Sequence, residues 1–246
     1  MQADCYLKAE WPASSNIFAY TTTRLGGNSA APYASLNLAQ HVGDEATTVQ
    51  LNRQHLKSSL MLPCEPFWLN QIHSNICVKV DKQSIGNITA DATYTKQSSL
   101  VCAVLTADCL PILICNQAGN EVAAIHAGWR GLAGDIIQNT IKHFDAPADQ
   151  LLAWLGPAIG PEVFEIGDEV RTQFINLNRQ TSVAFKPSLT GRWLANLYQL
   201  ASLLLTHAGI TAIYGEPKCT YSNPELFFSY RREHLTGRMA SLIWFE

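Results

Sequence analysis

The chain has 246 residues, 47% of them hydrophobic and 15% charged, with a formal net charge of −3. That balance supplies a sizeable core, excludes a disordered chain, and without a lysine–arginine run leaves no electrostatic footprint for nucleic acid. No apolar run reaches the roughly 18–20 residues of a membrane span. The opening MQADCYLKAEWP lacks the basic-then-apolar layout of a secretory signal. Seven cysteines without paired spacing read as reduced thiols, which points to the cytoplasm.

In chain order, residues 16–23 (NIFAYTTT) read as a strand closed by the Gly26-Gly27 turn. The following loop, 28–43, contains SLNLAQHVGD and is polar for its length, which marks either a functional loop or a misread element. A helix is expected from 43 to about 60, with Asp44 as its cap and acids in the first turn. Val49, Leu51, His55, Leu56 and Leu60 form its imperfect apolar stripe, and Pro63 ends it. Residues 67–73 and 76–80 read as short strands around Ser74-Asn75, and Ala90-Asp91-Ala92 precedes another polar segment. Residues 100–106, 110–115 and 122–127 are strongly apolar strands, the last two joined across the turn at 116–120 as a hairpin. Helical spacing covers 132–144, 168–177 and 193–207, the last stopped by Gly209. Strands are expected at 151–155, 211–214 and 239–245. With no repeat, linker or regular βαβ rhythm, the pattern is a mixed α+β fold in one domain spanning 1–246.

The hairpin would return the Cys109 thiol and the His126 imidazole to one place, with His73 as a third partner from upstream. Two chemistries suit such a set. Cys109 as a thiolate nucleophile with His126 as its base is the arrangement of cysteine hydrolases. Alternatively, two imidazoles and a thiolate hold a metal with an open fourth position, as in catalytic zinc sites. The plain alternative is a pair of hydrogen-bonded core histidines and an inert thiol. Against it stand Asn70, Gln71 and Asp108, polar residues at the ends of apolar runs that need partners. Arg130 stands just before the expected 132–144 helix, where a guanidinium and free backbone donors suit an anion. Arg231 and Arg232 can clamp phosphate or form salt bridges. His41 reads as a loop histidine, and His55, His143 and His207 as helical ones. Cys102 and Cys115 read as core residues. Multicopper oxidase chemistry is implausible, because its trinuclear centre needs paired histidines and the seven here form no H-x-H pair.

NQIHSN at 70–75, TADCLPILI at 106–114, AAIHAGWRG at 123–131, GPAIGP at 156–161 and the closing FFSYRREHLTGRMASLIW resemble the bacterial YfiH-like proteins. TTRLGG and SLNLAQHVGD extend the likeness to nearly the whole chain. The family carries three labels: polyphenol oxidase (laccase-like), purine nucleoside phosphorylase and peptidoglycan editing factor. The resemblance implies layered sheets flanked by helices, and zinc on His73, Cys109 and His126, with copper as the alternative ion. It implies phosphorolysis of purine nucleosides to base and ribose 1-phosphate, alongside adenosine deamination and methylthioadenosine phosphorolysis. The H-x-E and P-C-x-x-C signature of common zinc deaminases is absent. On this reading Asp108 moves protons, while Asn70, Gln71, Arg130 and Arg231 contact nucleoside or phosphate. The alternatives are a hydrolase editing a peptidoglycan precursor, dependent on Cys109 or on metal, and a non-catalytic metal-binding protein.

Overall fold

The computed structural model describes residues 5–84, 86 and 88–246; the first four residues of the opening, read above as no secretory signal, lie outside them. Strands β1 (Tyr6–Lys8) and β2 (Ile17–Thr22) precede helix α1 (Ala46–Ser59) and the short strands β3 (Leu69–Asn70), β4 (Cys77–Lys79) and β5 (Ile88–Thr89). Next come β6 (Ala92–Thr95), β7 (Cys102–Thr106), β8 (Leu110–Asn116), β9 (Val122–Ala127), α2 (Trp129–Ala133) and α3 (Ile136–Ile141). The chain continues through β10 (Leu151–Leu155), β11 (Glu165–Ile166), α4 (Asp168–Leu177), β12 (Phe185–Pro187) and β13 (Trp193–Ala195). It closes with α5 (Leu197–His207), β14 (Ala212–Tyr214) and β15 (Met239–Phe245).

Two sheets carry the fold, one ordered β1-β2-β15-β7 and the other β14-β10-β8-β9-β6-β4. Alternate residues of their strands go to different cores. Val104, Ile243, Leu113, Ala124 and Trp154 fill the space between the sheets. On the far face of the six-stranded sheet, Ile112, Ile125 and Ala153 pack with Ile136, Leu200 and Leu205 of the helices. On the outer face of the four-stranded sheet, Ala103, Leu242 and Trp244 meet Leu56 of α1 and Leu36 and Leu38 of the preceding loop. The result is an α+β fold with layers helix, sheet, sheet, helix. Coverage on both faces is why β7, β8, β9, β10 and β15 are buried throughout and read as unbroken apolar runs. Among the described residues no helix is long and apolar enough to cross a membrane. Cys64, Cys77, Cys102, Cys109, Cys115 and Cys219 form no disulfide, and Cys102 and Cys115 are fully buried, their thiols pushed up to about 12 by burial.

Several expectations are corrected. Asp44 does not cap α1; its carboxylate accepts from Ser29, Asn37 and the Glu45 amide, and no acid occupies the first turn. The stripe is also rotated, since Leu51 and His55 are exposed while Asn52 and Arg53 turn inward to the carbonyls of residues 35, 37 and 38. The strand at 67–73 shrinks to β3, and His73 lies beyond it at φ 60°. The helix at 132–144 is two short helices, α2 and α3, because Asp135 adopts the left-handed region at φ 67°. Arg130 is therefore inside α2, and His143 lies past the end of α3, stacked on Tyr94. The helix at 193–207 begins only at Leu197. Trp193–Ala195 is strand β13, paired with β11 and β12.

Candidate metal centre

Register in the β8–β9 hairpin pairs Leu110 with Ala127 and Pro111 with His126, so Cys109, one residue before β8, lies beside His126. Cys109 also sits where the chain crosses from β7 in the four-stranded sheet to β8 in the six-stranded one. His73 arrives from the loop after β3, its ring edge-on to that of His126 with centroids 4.8 Å apart. Cys109 Sγ is 4.0 Å from His73 Nε2, and the donor atoms of His73, Cys109 and His126 lie within 4.8 Å of one another. Gly128 makes the approach possible, since a Cβ there would fall 2.9 Å from Cys109 Sγ.

One buried carboxylate aligns two of the three. Asp91 accepts from the His73 amide at 3.0 Å, from the Ser74 amide at 2.6 Å and from the Ser74 hydroxyl at 2.7 Å. These bonds offset the cost, of order 1 kcal/mol, of holding a non-glycine residue at positive φ. The same carboxylate bonds His126 Nδ1 at 2.8 Å, which leaves Nε2 as the free nitrogen. Burial alone would raise the Asp91 carboxyl, but hydrogen bonds from His126 and Ser74 outweigh it and hold it at about 2. Burial likewise opposes a charged Cys109, yet the His126 charge and hydrogen bonds from both histidines bring the thiol down to about 6. His126 is raised in return, against its own burial, chiefly by Cys109 and then by Asp91.

This donor set fits zinc. Tetrahedral bonds of about 2.0–2.3 Å place ligand atoms roughly 3.3–3.8 Å apart, a small contraction from the distances present. A thiolate-prone sulfur, a free Nε2 and a carboxylate behind one imidazole are the features of such a site. Among the described residues it is the one group of three His, Cys, Asp or Glu side chains able to hold a metal. Among the described residues no further such group stands beside it from which a trinuclear centre could be built.

The three donors open into a cavity of about 550 Å³, within the usual range for small-molecule sites. Trp129, Phe164 and Tyr230 contribute aromatic faces, and Arg130, Arg231 and Arg238 contribute positive charge. Of the residues expected from sequence, Gln71 and Asp108 also line it, but both are engaged. The Gln71 amide clasps the Leu105 backbone, accepting at 2.7 Å and donating at 2.9 Å. Asp108 accepts from the Thr220 hydroxyl at 2.7 Å and the Arg231 amide at 2.6 Å. Asn70 does not line the cavity. Alternation along β3 buries Leu69 and turns Asn70 out to Thr89. Arg232 does not line the cavity; it holds the carbonyls of Thr220, Tyr221 and Phe227, and its Nε lies 3.7 Å from a Glu233 carboxylate oxygen, the salt-bridge alternative. Asp91, Arg238 and Phe164 were not singled out by sequence reading. For Asp91 the only local signal is a lone acid between two alanines at the start of a buried strand.

A family model described as multi-copper polyphenol oxidoreductase laccase matches residues 18–246. A Haemophilus influenzae protein named purine nucleoside phosphorylase is 47% identical, the match covering 98% of this chain and 99% of that one. An Escherichia coli protein named purine nucleoside phosphorylase YfiH is 46% identical, with 96% of each chain covered. Among solved structures, a Neisseria meningitidis protein superimposes with a TM-score of 0.95 at 45% identity, covering 98% of this chain and 99% of that one. YlmD from Geobacillus stearothermophilus does so with a TM-score of 0.90 at 31% identity, covering 100% and 98%.

Proposed function

The chain belongs to the YfiH-like family, and from that membership we propose that it is a zinc-dependent purine nucleoside phosphorylase acting on adenosine- and inosine-type nucleosides. The observation that carries this is one cavity bringing together His73, Cys109 and His126, three guanidiniums and an aromatic wall. His73, Cys109 and His126 would hold the zinc, which when bound supplies a Lewis acid for a substrate oxygen.

The other residues divide the remaining work. Trp129, Phe164 and Tyr230 offer faces on which a purine can stack. Arg130 lies over the Trp129 ring, 4.4 Å from its centroid, and its positive charge draws the anionic co-substrate to the rim. Arg231 is anchored on the carbonyls of Val163 and Glu165 and contributes a fixed charge. We assign Asp108 to positioning the Arg231 segment, since both its oxygens are already bonded, and Gln71 to bracing β7. In the reaction a phosphate oxygen bonds to C1′ while the glycosidic electron pair leaves with the base. The proton brought in by hydrogen phosphate departs on that base. Adenosine deamination and methylthioadenosine phosphorolysis are proposed as side activities on the family likeness alone.

Cys109→Ala tests the proposal. Wild-type protein should purify with stoichiometric zinc and release base from adenosine or inosine only when phosphate is present. The variant should lose both properties and keep its circular dichroism spectrum. Full turnover by the variant would refute the assignment. The lowered Cys109 thiol beside a raised His126 favours one second reading, a cysteine hydrolase acting on a peptidoglycan precursor. A chelator silences the zinc enzyme, whereas a thiol hydrolase survives chelation and yields to alkylation.

A further inference from the structure

The three guanidiniums of the cavity differ in which donors they keep. Arg231 gives Nη1 and Nη2 to the carbonyls of Val163 and Glu165, both at 3.3 Å. Arg130 is exposed, and its guanidinium lies over the Trp129 ring. Arg238 is half-buried and held from one side. Its Nη1 donates to the carbonyls of Thr236 and Gly237, both at 2.9 Å, and its cation lies 5.7 Å from the centre of the Tyr230 ring. Among the described residues its Nε and Nη2 make no hydrogen bond, and neither is sealed away from solvent. That edge of a guanidinium carries two parallel donors, the fork that takes two oxygens of a phosphate.

The loop containing SLNLAQHVGD, which the zinc site does not use, builds this wall. Leu36, Leu38 and Ala39 are fully buried and fix the loop in the core. The buried Asn37 side chain accepts from the Arg238 amide at 3.0 Å, and the Leu38 amide donates to the Arg238 carbonyl at 3.4 Å. His41, three residues on, lines the same cavity within electrostatic reach of Arg238. Arg238 in turn lies within reach of Cys109 and Asp108. One polar side chain of the loop, Asn37, thereby fastens the backbone of an arginine 201 residues away.

We propose that the Nε–Nη2 edge of Arg238, flanked by His41, is the binding site for inorganic phosphate, a proposal that rests on the phosphorylase reading. Arg130 then gathers the anion at the rim, and Arg238 orients it beside the donor set. The test is calorimetric titration of inorganic phosphate, and separately of adenosine 5′-monophosphate, into wild-type protein and the Arg238→Gln and Arg238→Lys variants. Phosphate and adenosine KM values are measured in parallel, and thermal melts check folding. Arg238→Gln should weaken phosphate binding and raise the phosphate KM by about tenfold or more, with adenosine KM within about twofold. Arg238→Lys, which keeps the charge but loses the fork, should weaken binding as well. Unchanged phosphate affinity in folded Arg238→Gln overturns the site while leaving the phosphorylase reading intact. So does wild-type protein that binds the nucleotide through Arg238 but not free phosphate. Arg238-dependent phosphate binding without nucleoside cleavage supports the site and overturns the phosphorylase.

Discussion

Asp91 has no contact with the cavity, yet every hydrogen bond its carboxylate accepts comes from a residue carrying or flanking His73 or His126. Asp91→Asn should keep the shape and lose the charge that holds the His73 backbone amide and orients the His126 imidazole. Zinc affinity should fall about 10–100-fold, read by competition with a chromophoric chelator; unchanged affinity would take Asp91 out of the metal assembly. The carboxyl is depressed from 3.8 to about 2 in the folded protein. Its contribution, of order 2 kcal/mol, is complete above the unfolded value and is lost as pH falls from roughly 4 to 2. Acid unfolding followed by circular dichroism should therefore be steeper across that window in wild type than in Asp91→Asn. The donor trio is legible from quoted motifs, but Asp91 is not, because a single acid between alanines has no periodicity or spacing to mark it.

Elements with a strong local signal, an unbroken apolar run or a helical spacing, are read to the residue: β9, β10, α4 and β15 coincide with their expected spans. Failures occur where a neighbour overrides the local pattern. Trp193 fits the helical stripe of α5 four residues before Leu197, but its indole donates to Asp168 and Arg171 lies 4.0 Å from its ring centre. Those contacts and pairing with β11 and β12 draw it into β13. Asn196 then starts the helix, its side chain accepting from the Gln199 amide. Asn196→Ala should cost about 1 kcal/mol in thermal unfolding and leave the phosphate and adenosine KM values unchanged. A melting temperature equal to wild type would mean that packing of α5, not its cap, sets where the helix begins.

Across the whole molecule, the candidate metal centre joins parts that are otherwise held in different layers. His73 follows β3 of the two-stranded sheet, Cys109 marks the crossing between the two large sheets, and His126 belongs to β9 of the six-stranded one. An ion bound only by the folded state stabilises it in proportion to the logarithm of its free concentration. Chelation should lower the melting temperature by several degrees, and added zinc should restore it in a concentration-dependent way. An unmoved transition would mean that no metal bridges these layers. The single domain expected from the sequence over residues 1–246 predicts one cooperative transition in calorimetry; two separate ones would divide the chain.

The sequence by itself determined the buried strands, the hairpin and the convergence of Cys109 with His126. A run that is apolar on both faces must be covered twice, and a short polar turn between two such runs brings their ends together. Only the tertiary structure decided what surrounds that pair. Asp91 meets His126 across 35 residues, Asp108 meets Thr220 across 112, and Asn37 meets Arg238 across 201. Each of these polar groups is satisfied by a partner that the layering of sheets, not local propensity, carries into reach.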